Sequence, residues 1–314
     1  MKLDVDELRA LLEKSEELFN DPAVQEFDSS SLKFKKSTAD TQPVEHIKTS
    51  TLTKKFEIRS IHHFACSGGS LISKCLDAMP RVRLLSELHP LARKHLQTQS
   101  HKFTPSDLIS CAYYAEVSDL DELAVKIMDS SIKLSVQHAF YNSEILVFRE
   151  HSHTDYCCGD KPLDLRLFKR IANENYPNLA IATVRNPIDS FLSLQKNNWV
   201  HFSPSTFDEY CKRLNLFLSY YEDEDIFYYE KFLDNPKQVM QEMCCKLDVP
   251  FSESFLETYS TRKITGDSGR GAQNITRLKR REVTPELNID INNSLEYKKF
   301  VQRFEYYKRK SEIL

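Results

Sequence analysis

The sequence predicts an α/β fold of three layers, in which a central, mostly parallel sheet carries helices on both faces. Between residues 58 and 247, short apolar segments of strand character alternate with longer segments whose apolar residues recur at helical spacing. This alternation predicts parallel strands joined by helical crossovers. In addition, five of the six glycines fall in two short loops, and the first of these loops directly follows a predicted strand.

The strands are predicted from runs of apolar and β-branched residues, and the helices from wider periodicity with capping and stop signals. The predicted strands span residues 58–64, 82–85, 145–148, 179–184 and 226–229. The predicted helices span residues 70–79, 120–140, 163–175, 207–221 and 236–247, with one more beginning at Pro187.

The first 50 residues differ from the remainder of the chain. Residues 5–19 have helical apolar spacing, and residues 27–50 are rich in Ser, Thr and Lys without periodicity. We therefore expect residues 1–50 to form an appended helix with a polar linker, and residues 51–314 to form the α/β domain. The sequence leaves the oligomeric state open.

Charge and composition limit the kinds of partner that the protein is expected to bind. The 314 residues carry a net charge of −3, which gives no global basic field for nucleic acid, so any anion site must be local. Because no apolar run has the length of a membrane helix and no signal-peptide core is evident, we expect a cytoplasmic protein without an integral membrane segment.

The cysteines are expected to be reduced thiols, and no metal is expected. None of the eight cysteines has CxxC spacing. His151 and His153 precede the pair Cys157-Cys158, but the spaced ligand pairs of structural zinc sites are missing.

The first chemical motif is the loop Ser67-Gly68-Gly69-Ser70, between a predicted strand and a predicted helix. Glycines let backbone N–H groups converge, and the following helix N-terminus favours an anion. The loop lacks the Gly-Lys-Ser/Thr of nucleoside triphosphatases. The alternative interpretation is a tight strand–helix turn without a ligand.

The second motif follows the fourth strand, where Arg185 precedes Asn-Pro187 and Ser193 comes eight residues after it. Pro187 suits the first turn of a helix, and Ser193 then lies about two turns further on. A guanidinium with a nearby hydroxyl suits a terminal phosphate. The alternative is a capping turn with a surface arginine.

Ligands of parallel sheets bind beyond the carboxyl ends of the strands. This rule brings residues 65–70, 86–89, 149–153 and 185–193 together, so Glu87 and His89 are expected to point into one cleft.

The two motifs together resemble sulfotransferases that use 3′-phosphoadenosine 5′-phosphosulfate (PAPS), a family with a P-loop-type fold. The resemblance covers about residues 56–285 and includes Tyr229-Glu230 and the late glycine loop 266–271. It implies that residues Ser67, Gly68, Gly69, Ser70 and Leu71 hold the 5′-phosphosulfate. It also implies that Arg185 and Ser193 hold the 3′-phosphate, with Arg270 and Gly271 closing over it.

The resemblance also implies the catalytic residues. His151 matches the family's general base, Arg149 occupies the place of the lysine in the family's Lys-Thr-His segment, and Glu87 is the alternative base or an acceptor-binding residue. A neutral imidazole near pH 7 suits this role, although a structural histidine is the simpler alternative. His153 is expected to face the opposite side if the strand continues.

One position departs from the family pattern, since Cys66 stands where many members have a lysine before Ser-Gly. Arg149, Lys74 or Lys161 could replace its charge. The expected function is in-line sulfuryl transfer from PAPS to a hydroxyl or amine of a small-molecule or glycan acceptor. The alternatives are a P-loop kinase-like phosphotransferase and a non-catalytic module that binds 3′,5′-adenosine bisphosphate (PAP) or another nucleotide.

Overall fold

A five-stranded parallel sheet forms the centre of the protein, as predicted. The computed structural model describes residues 56–92, 106–266, 275–277 and 279–307. The sheet strands, in chain order, are β1 (Ile58–His63), β2 (Val82–Leu88), β3 (Ile145–Glu150), β5 (Asn178–Val184) and β7 (Ile226–Tyr228). Their spatial order is β2-β3-β1-β5-β7, and every pair is parallel.

The helices of the described residues connect these strands or cover them. In chain order they are α1 (Gly69–Asp77), α2 (Leu108–Tyr114), α3 (Leu120–Tyr141), α4 (Ser152–Tyr156), α5 (Leu167–Ile171), α6 (Pro187–Lys196), α7 (Phe207–Leu218), α8 (Tyr229–Asp234), α9 (Pro236–Lys246), α10 (Phe255–Thr258), α11 (Pro285–Asn293) and α12 (Leu295–Arg303). Among them, none is both long enough and apolar enough to cross a membrane.

Alternation along β1 divides the core between the two faces of the sheet. Ile61 is buried on one face in a cluster with Leu76 of α1 and Met243 of α9. Ile58 is buried in a different cluster, which includes Ile132 of α3. Since strand residues of opposite parity point to opposite faces, the sheet is covered on both sides and the three-layer prediction is confirmed.

The strand register sets the carboxyl edge of the sheet. Ile61 of β1 lies opposite Arg149 of β3, and His63 lies opposite Thr183 of β5. The loops that follow these strands therefore start at nearly the same level, which is the arrangement that gathers ligand-binding residues.

The predicted helix over residues 163–175 is wrong. Only Leu167–Ile171 is helical, because Asp164 and Arg166 have positive φ values of 52° and 49°. Asp155 accepts hydrogen bonds from the Leu165 N–H through its side chain and from the Leu163 N–H through its carbonyl, so these groups are tied to a tertiary partner.

A second, two-stranded parallel sheet pairs β4 (Cys158–Gly159) with β6 (His201–Phe202). Arg213 of α7 lies fully buried beneath it and forms an ion pair with Glu209, with 2.7 Å between Nε and Oε1. Its guanidinium also donates to five backbone carbonyls, those of Tyr156, Cys158, Gly159, Asp160 and Ser203. A single buried side chain thus holds both short strands.

We predict that Arg213→Met lowers the free energy of unfolding by about 3–5 kcal/mol, because it removes the buried partner of Glu209 and one donor from each of the five carbonyls. Lys212→Met is the matched control: the neighbouring Lys212 also pairs with Glu209 but is exposed, so its loss should cost less than about 1 kcal/mol. Urea unfolding of both variants measures the difference. Equal effects would show that Arg213 does not hold this region.

Candidate functional site

A cleft of about 1200 Å³ opens at the carboxyl edge of the main sheet. The loops after β1, β2, β3 and β5 all contribute to it, together with α6 and α8. Its lining includes Gly68, Gly69, Ser70, Leu71, Glu87, Arg149, His151, Arg185 and Ser193. The cleft thus brings together nine of the residues that the sequence analysis assigned to a site, whereas Ser67 is buried and is not part of the lining, and Arg270 and Gly271 lie outside the described residues.

At one position of the glycine loop, the backbone conformation and the close packing fit only glycine. Gly68 has a φ of +88°, and a Cβ there would lie 2.1 Å from Cε2 of Tyr229. It is the N-cap of α1, and since glycine has no side chain, no capping side chain accepts the N–H groups of the first turn. The loop therefore presents the amino end of a helix to the cleft, which is favourable for an anion.

The Ser67 hydroxyl of this loop is a buried polar group without a hydrogen-bond partner in the described part of the chain. Its Oγ is buried and has no hydrogen-bond partner among the described residues. Because a buried hydroxyl without a partner costs free energy, such atoms are uncommon in native folds and call for an explanation. A ligand oxygen at the glycine loop would supply the missing partner.

Arg185 joins the second motif to the first. Its Nη1 donates to the carbonyl of Cys66 at 3.0 Å, and its guanidinium lies 5.3 Å from the centroid of the Tyr229 ring. Two motifs that are far apart in the sequence thus meet through a direct hydrogen bond, and Ser193 of α6 lines the same cleft.

Glu230 fixes the turn that carries Arg185. Its buried carboxylate accepts the Asn186 N–H at 2.9 Å and the Tyr307 hydroxyl at 2.6 Å. Asn186 in turn caps α6 by accepting the Ile188 N–H at 3.0 Å. The sequence indicated Glu230 only through the family resemblance. It gave no sign that Glu230 contacts Tyr307.

Glu87, Arg149 and His151 form one connected cluster. Glu87 Oε1 lies 2.8 Å from Arg149 Nη2, and Glu87 Oε2 lies 3.3 Å from His151 Nε2. His151 Nδ1 also lies 2.7 Å from Thr154 Oγ1. The two candidate bases therefore lie next to each other in one cluster of charged and polar groups.

A β-bulge aims Glu87 into the cleft. The pairing of β2 with β3 shifts register between Leu85 and Leu88, and Glu87 there has a φ of 65°. Gly266 lies directly over it, since a Cβ on Gly266 would be 2.3 Å from Glu87 Oε1. The strand thus runs beyond the predicted end at residue 85, and the bulge redirects one side chain.

The surroundings shift the pKa values of Glu87 and His151. Burial raises the pKa of Glu87, and the neighbouring Arg149 opposes that rise. Burial, together with the charges of His89 and Arg149, lowers the pKa of His151 to about 4, against a smaller opposing effect of Asp155. The imidazole is therefore neutral at pH 7, the form that can accept a proton.

Among the neighbouring residues, the expectation that His89 points into the cleft is wrong. His153 lines the same cleft as His151, because the strand ends at Glu150 and α4 begins at Ser152. His89 does not point into the cleft, since it is buried and its Nε2 donates to Asp155 at 3.1 Å. Lys161 is exposed and does not line the cleft, whereas Lys74 does.

A basic segment after residue 275 was missed. Arg280 pairs with Asp189 of α6, with 2.8 Å between Nε and Oδ1, and Arg277 pairs with Asp234. Four basic side chains of this segment line the cleft: Arg277, Lys279, Arg280 and Arg281. The sequence run Arg-Leu-Lys-Arg-Arg is the signal that could have predicted this strip. The cleft is cationic in a protein whose net charge is negative.

Of the Phe, Tyr and Trp residues at positions 113–114 and 199–210, Trp199 alone lines the cleft. Trp199 lines it, whereas Phe202 and Tyr210 are buried in the core. Tyr113 and Tyr114 are exposed, pack edge to face against each other and do not line the cleft.

The chain matches solved sulfotransferase domains over most of its length. A sulfotransferase domain from the curacin biosynthetic pathway is 18% identical, with 80% of this chain and 98% of that one covered and a TM-score of 0.46. A sulfotransferase domain from the Synechococcus PCC 7002 olefin synthase is also 18% identical, with coverages of 83% and 99% and a TM-score of 0.45. A mouse sulfotransferase complexed with PAP is 10% identical, with coverages of 76% and 86% and a TM-score of 0.37.

No protein-family model matches the sequence, and no curated protein matches it. The matched domains belong to the family that the sequence motifs resemble.

We predict that Gly68→Ala lowers the melting temperature clearly more than Gly159→Ala. Both glycines have positive φ, so both substitutions strain the backbone, but only at Gly68 does the added methyl meet a ring. At Gly159 the nearest atom is 3.9 Å away. Differential scanning calorimetry measures both shifts. Equal shifts would mean that Tyr229 does not pack on the loop.

Proposed function

We propose that the protein is a sulfotransferase that moves the sulfuryl group from PAPS to a hydroxyl or amine of a small-molecule or glycan acceptor. The observation that carries the proposal is the glycine loop with its unpartnered Ser67 hydroxyl, joined by Arg185 to a second anion-binding motif. The two motifs suit a ligand with two anionic ends, and PAPS has a phosphosulfate at one end and a 3′-phosphate at the other.

The glycine loop would bind the 5′-phosphosulfate. The amino end of α1 and the Gly68–Gly69 backbone face the cleft, and rotation of the Ser67 hydroxyl would give it the acceptor that it lacks. Ser70 and Leu71 would add the next backbone N–H groups. The loop has no lysine followed by Ser or Thr for a Mg²⁺-bound triphosphate, which favours PAPS over ATP.

The 3′-phosphate would be held by Arg185 and Ser193, with Arg270 and Gly271 assigned to the same end by the family resemblance. Lys279 and Arg281 line the cleft and have no carboxylate partner among the described residues, so their charge is available to an anionic ligand. ATP has no phosphate on its 3′-hydroxyl. These residues would therefore distinguish PAPS from the nucleotide that a kinase uses.

His151 would take the acceptor proton as the acceptor oxygen or nitrogen attacks sulfur. The new bond to sulfur forms while the bond from sulfur to the bridging phosphate oxygen breaks, and PAP leaves with the electron pair. With Nδ1 donating to the Thr154 hydroxyl, Nε2 would take the proton, and Glu87 Oε2, 3.3 Å from Nε2, would stabilise the imidazolium that results. Arg149 and Lys74 line the cleft and would offset the charge that develops on the leaving phosphate, in place of the lysine absent at Cys66.

We predict that Ser67→Ala weakens PAP binding about tenfold or more without lowering stability, because the hydroxyl has no protein partner to lose. Ser73→Ala is the matched control: this buried hydroxyl lies 3.4 Å from His63 Nε2 and away from the cleft lining. Arg185→Ala should weaken PAP binding more strongly than Ser67→Ala. Isothermal titration calorimetry gives the affinities, and thermal melting gives the stabilities.

A thermal shift with ATP and Mg²⁺ and none with PAP would contradict the proposal in favour of a phosphotransferase. Unchanged PAP affinity in both variants would show that neither motif binds PAP.

We predict that His151→Ala reduces turnover by about 10²–10⁴-fold while PAP affinity stays within a few-fold of wild type. Glu87→Gln should cause a smaller loss, because the imidazole remains. The assay follows labelled sulfate from PAPS into a panel of phenols, alcohols, amines and sugars, with the exposed His138→Ala as control.

If Glu87→Gln abolishes turnover and His151→Ala does not, Glu87 is the base. PAP binding by the wild type without transfer to any acceptor of the panel would favour the non-catalytic module.

A further inference from the structure

Three metal-binding side chains meet at one corner of the cleft, apart from the glycine loop. His153 comes from α4, Cys158 from β4 and His201 from β6. Their ligand atoms all lie within 4.8 Å of one another, and all three residues line the cleft. Cys158 and His201 are direct partners in the two-stranded sheet, so backbone pairing holds two of the three donors together.

The separation of the two imidazoles fits a shared ion. His153 Nε2 lies 3.1 Å from His201 Nδ1. Two nitrogens bound to one tetrahedral Zn²⁺ at bond lengths of about 2.0–2.1 Å lie about 3.3 Å apart. The nitrogens are thus already at ligand spacing, and the Cys158 sulfur lies within 4.8 Å of both of them.

The second nitrogen of His201 is arranged as it is in metal sites. Its Nε2 lies 3.0 Å from the carbonyl oxygen of Asn198. Because a carbonyl only accepts, Nε2 must carry the proton, and Nδ1 then presents its lone pair to the cluster. A metal-ligating histidine usually donates its other N–H in this way.

The donor set selects the kind of metal. Two imidazoles and a thiol favour zinc and similar borderline-soft ions, whereas Mg²⁺ and Ca²⁺ need oxygen ligands, and the cluster contains no carboxylate. Cys158 is buried while His201 is exposed, so the cluster opens to solvent on one side. Three protein ligands leave one position of a tetrahedral ion open.

We propose that His153, Cys158 and His201 bind one Zn²⁺, with a fourth position open on the cleft side. The ion would tie α4 to the β4–β6 sheet and so fix the wall of the cleft beside His151, whose ring centroid is 6.0 Å from that of His153. The site uses none of the residues assigned to PAPS and stands independently of the proposed function. This proposal differs from the expectation of no metal, which was made from the sequence without taking His201 of β6 into account.

The test uses the full chain, stripped with a chelator and titrated with Co²⁺ as a spectroscopic probe. We expect one equivalent to give the charge-transfer band of a thiolate–Co²⁺ bond and the visible bands of tetrahedral Co²⁺, both lost when Zn²⁺ is added. Zn²⁺ should also raise the melting temperature of the wild type. Elemental analysis gives the stoichiometry.

Cys158→Ser should remove the thiolate band, and His201→Ala should weaken Co²⁺ binding at least about 100-fold, which exceeds the usual loss for an outer-shell partner. The controls are Cys245→Ser and His138→Ala, exposed residues outside the cluster, which should keep the wild-type spectrum. Far-UV circular dichroism verifies the folding of each variant. The proposal is wrong if the folded wild type gives no thiolate band, or if that band survives in Cys158→Ser.

Discussion

Parallel pairing of β1 with β3 and β5 is the constraint on which the rest of the structure depends. Its register brings the ends of the three strands to one edge, so that the glycine loop, the Arg149–His151 segment and Arg185 begin side by side. Each of these segments is short, and none could form a site alone. The hydrogen bond from Arg185 to the Cys66 carbonyl then joins the segments that follow the neighbouring strands β5 and β1.

Burial of polar groups maintains this edge. Glu230 lies beneath the turn that follows β5, where its carboxylate is satisfied by a backbone N–H and by Tyr307. Arg213 satisfies the carbonyls of the small β4–β6 sheet in the same manner. Because a buried polar group is costly unless it is paired, these contacts fix backbone that has little regular structure of its own. The Ser67 hydroxyl, by contrast, is buried without a partner among the described residues, and it lies where an anion is expected.

The sequence predicts the sheet and the location of the cleft because apolar runs, glycines and Pro187 act locally. The contacts within the cleft depend on distant partners and could not be predicted. The bulge at Glu87, which aims its carboxylate at His151, has no local sequence signal. His201 was missed because a two-residue strand is too short to give a periodicity, and its partner Cys158 is far away in the chain.

The most direct measurement of the central claim is a crystal structure of the protein grown with PAP. The account predicts that the 5′-phosphate lies on the Gly68–Gly69 backbone, within hydrogen-bond distance of Ser67 Oγ. It also predicts that the 3′-phosphate lies against Arg185 and Ser193. PAP bound elsewhere, or bound in the reverse orientation with Ser67 still unpartnered, would contradict it.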